Sequence, residues 1–242
     1  MKKMIIICFT LILVVTGGCS MNDKQNSKEN NKTEAVKPID MDPKDLPKVP
    51  AFQDEKTREY MASTKEVEPG YYLLESKLKG FTMLFPEEAV YDDFLSSLGK
   101  DKEIISFRNY NKKTNVDMSV SVEYYRYKSY INDPDEMMEQ VRKDNGYKGD
   151  FEKIQEKNKN IYFAYVKTIH DDTDTERNTT HSYIGYIKSK DEDYVGIVFT
   201  FDFVCLKHNQ SCSLNVDEAR KKATKIVKSI TFKINREEKN GN

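Results

Sequence analysis

Residues 194–204 constrain the fold more than any other stretch. Val195, Ile197, Phe199, Phe201 and Phe203 alternate there with Gly196, Val198, Thr200 and Asp202. A two-residue period of this kind is the pattern of a strand with one wholly apolar face. Such a face is stable only when other elements cover it, so the chain must build a sheet and pack something against it.

The neighbouring segments supply that sheet. Val116, Met118, Val120 and Val122 share one face of a strand over 116–127, which a polar turn at 111–115 joins to a strand over 104–110. Two short strands, 71–74 and 81–85, flank the turn at Lys79-Gly80, and Pro86 ends the second. Further strands are expected over 161–169 and 183–187. Helices are expected where caps precede apolar residues at helical spacing. Asp133 and Pro134 open one helix, with Met137, Met138 and Val141 on its apolar side and Gly146 just past its end. Asn215 opens another that runs through Val227, with Ala219, Ala223, Ile226 and Val227 inward. Val90, Phe94, Leu95 and Leu98 suggest a helix over 87–98, and a short helix is expected over 52–63. Two or three helices with about seven strands, mostly antiparallel given their short connections, define an α+β fold.

The first 18 residues read as a signal peptide. Lys2 and Lys3 precede an apolar run over 4–15, which is shorter than the ~20 residues needed to span a bilayer, and Gly17-Gly18 supply small residues before a cut. Residues 15–19, Val-Thr-Gly-Gly-Cys, resemble the bacterial lipobox, with Thr16 where Leu is most usual. The resemblance implies that Cys19 takes a diacylglyceryl group, anchoring the chain on the extracytoplasmic face of the cell membrane without a spanning helix. Residues 19–50 are polar, carry Pro38, Pro43, Pro47 and Pro50, and are expected to be a disordered tether. A connecting segment over 51–70, the α+β domain over 71–234 and a polar tail over 235–242 complete the division.

The segment Gly80-Phe81-Thr82-Met83-Leu84-Phe85-Pro86 resembles the opening of PsbP/Mog1/DcrB-like domains, and Ile226 to Phe232 resembles their closing helix and S-I-x-F segment. This resemblance, covering residues 71–232, implies helices packed on an antiparallel sheet and a binding or assembly role rather than catalysis. The whole chain is also similar to lipoproteins of Bacillus-type bacteria linked to complex colony (biofilm) architecture.

Candidate sites follow from residue type. Outside the membrane, Cys205 and Cys212 are expected to form a disulfide, since Cys8 leaves with the signal and Cys19 takes lipid. A metal site of Cys205, His208 and Cys212 is the alternative, short of a fourth ligand for a structural zinc. His170, Asp172, Asp174 and His181 border an acidic loop reminiscent of a calcium loop, but Arg177 and Tyr183 occupy the positions that need Gly and Glu. These four are candidates for a metal-dependent enzyme or an envelope hydrolase, and the prevailing reading is a solvated loop with no metal or other cofactor. Tyr124, Tyr125, Tyr127 and Tyr130 form a candidate binding ledge for an envelope protein or polysaccharide. A net charge of −1 gives no electrostatic ground for a nucleic-acid partner. The sequence-level expectation is therefore a lipid-anchored, non-catalytic envelope module.

Overall fold

A computed structural model of the chain describes residues 36–170, 179–206 and 211–233. The larger sheet is ordered β3 (Val90–Tyr91), β5 (Lys102–Asn111), β6 (Val116–Arg126), β10 (Val195–Cys205), β9 (Thr179–Ser189), β8 (Lys159–Ile169) and β7 (Glu152–Gln155). A short β4 (Ser97–Leu98) also pairs with β5. A smaller sheet joins β1 (Tyr71–Glu75), β2 (Phe81–Pro86) and β11 (Thr231–Phe232). Every pairing is antiparallel, including β6–β10 and β2–β11, which no short connection joins.

The alternation of β10 places Ile197, Phe199, Phe201 and Phe203 in the core beside Met118, Val120, Val122 and Tyr124 of β6. Two elements cover this inner face. One is β2, through Phe81, Met83 and Phe85; the other is α4 (Val216–Ser229), through Ala219, Ala223, Ile226 and Val227. Asn215 caps α4 by accepting from the N–H groups of Asp217 and Glu218. At the other end of α4, the buried Lys159 ammonium donates to the carbonyls of Lys228 and Ile230, a cation matched to the negative end of the helix. On the outer face, α3 (Pro134–Asp144) buries Met137 and Val141 against Tyr162, Tyr186, Ala164 and Ile184, its start capped by Asp133.

Gly80 shows why the opening motif has its form. A Cβ there would lie 2.1 Å from the Tyr124 ring, so only glycine lets that tyrosine pack over the β1–β2 turn.

Three local expectations are corrected. The tether does not extend as disordered chain to Pro50: 3-10 turns form at Pro38–Asp40 and Pro43–Asp45, and Leu46 enters the main core. The prolines that suggested disorder instead start these turns, where a fixed φ and a missing N–H cost nothing. The helix expected over 52–63 is two single turns, α1 (Pro50–Gln53) and α2 (Glu55–Arg58). Asp54 interrupts them in an extended conformation and caps the second through the Thr57 N–H at 2.7 Å. No helix forms over 87–98; β3 and β4 stand there, joined by a turn in which Asp92 accepts from the N–H groups of Phe94 and Leu95. An Asp side chain that captures nearby N–H groups competes directly with helix formation.

Candidate functional site

A cleft of about 590 Å³ opens where α4 and β2 stop covering the inner face of the sheet. Its floor is apolar, from Val116, Met118, Phe203, Leu214 and Ala219, and its rim is charged, from Glu88, Glu218, Lys112, Lys113 and Lys222. Glu88 and Lys222 form an ion pair across the rim, and Asn109 donates to Glu88 at 3.4 Å. A concave apolar floor with a few convergent polar groups is the usual form of a ligand site.

One wall of this cleft depends on the disulfide. Cys205 and Cys212 are bonded, with Cα atoms 5.9 Å apart. On either side of the pair, the Leu206 N–H donates to the Asn115 carbonyl at 3.2 Å and the Ser213 N–H to the Thr114 carbonyl at 2.9 Å. The bridge ties the end of β10 to the segment leading into α4, the two hydrogen bonds set that segment against the β5–β6 turn, and Thr114, Ser213 and Leu214 line the cleft there. His208, the third ligand of the alternative metal site, lies outside the described residues.

The tyrosine ledge divides. Tyr124 is buried in the core, with its hydroxyl pushed up to about 12 by burial. Tyr125 and Tyr130 do meet, with ring centroids 6.4 Å apart, and both line a second hollow of about 440 Å³ between α3 and the outer face of the sheet. The Tyr125 hydroxyl donates to Glu123 at 2.7 Å, and Lys102 lies over its ring. Burial outweighs that cation and lifts Tyr125 to about 12. Tyr127 stands apart, exposed at the end of β6 with φ 62°.

The histidines do not form one site. His181 is buried on the inner face, hydrogen-bonded to the Tyr165 hydroxyl at 2.6 Å. His170 contacts the Thr180 hydroxyl at 2.6 Å, and Thr180 precedes His181 on β9 and so points to the opposite face. Among the described residues no three His, Cys, Asp or Glu side chains gather as metal ligands, and no helix is long and apolar enough to cross a membrane. Asp172, Asp174 and Cys19 lie outside the described residues.

Sequence reasoning missed the main cleft. Glu88 and Lys222 are separated by 134 residues, and no local pattern connects a β2–β3 turn to a late helix.

The fold and the site together define an α+β domain with an apolar, charge-rimmed cleft beside a disulfide. The comparisons make the assignment specific. The model of the family described as "Putative lipoprotein YvcA" matches residues 47–231, and the chain belongs to that family. The "Putative lipoprotein YvcA" of Bacillus subtilis (strain 168) is 56% identical over 241 residues, covering 99% of this chain and 100% of the relative. Among solved structures, the Saccharomyces cerevisiae Ran-binding protein Mog1p is 11% identical with a TM-score of 0.43, over 66% of this chain and 94% of Mog1p. A single-residue variant of Mog1 is 10% identical with the same TM-score, over 66% of this chain and 95% of its own.

Proposed function

We propose that this protein is a lipid-anchored binding or assembly module of the cell envelope. It is held on the extracytoplasmic face of the membrane through Cys19, is non-catalytic, and supports complex colony or biofilm development. The observation that carries the reading is the disulfide-fastened cleft of about 590 Å³, in a member of a lipoprotein family. One pair of its rim charges, Lys222 and Glu88, is already matched, which suits recognition of an envelope protein or polysaccharide better than proton transfer. The alternative, a hydrolase or metal-dependent enzyme built on His170 and His181, lacks a shared face for the two rings.

The test compares two variants in the producing cell. Cys19→Ser should release the protein from membranes and flatten the colonies. Glu218 is exposed on the cleft rim, so Glu218→Trp should fill the cleft, leave the protein folded and membrane-bound, and still flatten the colonies. Normal colonies from both variants refute the reading, as does turnover of an ester or wall substrate that Glu218→Trp abolishes.

A further inference from the structure

The turn between β3 and β4 presents an apolar projection that the fold does not use. Phe94 is 93% exposed, and Leu95 and Leu98 are more than half exposed. The turn is nonetheless firmly built. Ser106 accepts from the Asp92 N–H at 2.8 Å through its carbonyl and donates its hydroxyl to the Leu95 carbonyl at 3.0 Å. Phe94 is thus held outward on a fixed support.

The projection continues around the corner of the sheet. Leu98 pairs with Glu103 near the start of β5, and the Arg126 guanidinium at the end of β6 donates to the Lys100 carbonyl at 2.9 and 3.2 Å. Beyond it stand the exposed rings of Tyr127 and Tyr194, the latter directly before β10. Aliphatic and Phe side chains backed by Tyr and by long cationic side chains are the composition of a bilayer interface. Lys100, Arg126 and Lys128 are offset by Asp92, Asp93 and Asp101, and Asp191, Glu192 and Asp193 precede Tyr194, so the corner carries no net positive charge and attraction there is apolar rather than electrostatic.

The start of the described chain lies on the same side. The turn at Pro38–Asp40 packs on α2, whose Thr57 hydroxyl accepts from the Tyr91 N–H at 2.8 Å, and Tyr91 immediately precedes Asp92. Val36 follows Cys19 by 17 residues, a span of at most about 60 Å. A domain tied that closely meets the bilayer at high effective concentration, where a weak contact suffices.

We propose that this corner is the protein's bilayer contact, with Phe94, Leu95 and Leu98 entering the boundary between headgroups and acyl chains and Tyr127 and Tyr194 at headgroup level. The proposal rests on the reading that Cys19 is lipidated.

The chain has no Trp, so one substitution makes a unique reporter. Lipidated full-length Phe94→Trp and Leu206→Trp would be placed on phosphatidylcholine vesicles, with and without brominated acyl chains; Leu206 is exposed at the opposite end of β10. Position 94 should show blue-shifted emission that brominated lipid largely quenches, unchanged by added salt, while position 206 shows neither. Equal quenching at both positions, or none at 94, overturns the proposal. So does a blue shift at 94 that grows with protein concentration without vesicles, which would mark a second copy as the occupant. Anchoring is read separately by co-sedimentation. If Cys19→Ser stays on the vesicles, lipid attachment fails while quenching at 94 still decides the contact.

Discussion

Glu103 closes the turn that begins at Ser76. The Ser76 hydroxyl donates to its carboxylate at 2.5 Å, and the N–H groups of Lys77 and Leu78 donate at 2.9 and 3.1 Å. Glu103 is fully buried on β5, so this one side chain joins the larger sheet to the β1–β2 turn of the smaller. Glu103→Ala leaves three donors without an acceptor and should destabilise the domain by about 3 kcal/mol, since each unsatisfied buried group costs about 1–3 kcal/mol. Glu103→Gln keeps an acceptor and should cost roughly half as much. Urea unfolding of both variants measures this, and an Ala variant within error of wild type refutes the assigned role.

Burial holds the Asp202 carboxyl above its ordinary value of 3.8, against the Ser182 hydroxyl that donates to it at 2.6 Å. A raised folded-state pKa means that the folded protein binds this proton more tightly than the unfolded chain. The group's stabilisation is then full below about 3.8 and fades as pH rises through the folded value. Asp202→Asn removes that dependence and still accepts from Ser182. Thermal midpoints taken from about pH 4 to about pH 7 should shift in the variant's favour as pH rises. A difference that does not change with pH contradicts the assignment.

Gly185 lies where β8 and β10 press on β9. A Cβ there would fall 1.9 Å from the Tyr162 carbonyl oxygen and 2.5 Å from Phe199 Cζ. Because the nearer obstacle is backbone, it cannot turn aside as a side-chain tip would. Gly185→Ala should cost at least about 3 kcal/mol, as strong overpacking does. Gly99, where an added Cβ would meet nothing nearer than the Lys102 carbonyl oxygen at 3.4 Å, is the control; the two variants should differ clearly in denaturant midpoint.

Cys205 and Cys212 close a small loop, for which about 2.5 kcal/mol of stabilisation is expected, or roughly 5–10 °C in Tm for a domain of this size. Reductant should lower the Tm of the wild type by that amount and leave the Cys205→Ser/Cys212→Ser double variant unchanged. The bridge ties down the segment leading into α4 beside the main cleft, so under the proposed function colony architecture should suffer in the double variant even at temperatures where it stays folded.

Much of the fold was legible because local and tertiary demands agreed. The caps at Asp133 and Asn215 stand where α3 and α4 begin, and the alternation of β6 and β10 names their buried faces. The same alternation carries a signal that the tyrosine ledge overlooked: the residue two beyond Val122 is Tyr124, which therefore belongs to the core. By contrast β7 is polar and mostly exposed, an edge strand formed only because β8 offers it backbone partners, and its sequence shows no alternation. Segment 87–98 has helical spacing but forms two strands, because Asp92 and Ser106 capture its backbone first.

By itself, the sequence determined the α+β class, the strand faces and the capped helices, because each is written in neighbouring residues through a period, a cap or a short motif. The tertiary structure alone decided that Leu46 belongs to the core, that Glu88 meets Lys222 across a cleft, that the two histidines face apart, and that Phe94 stands outside. These depend on which distant segments lie side by side, and burial acts on that arrangement rather than on residue order.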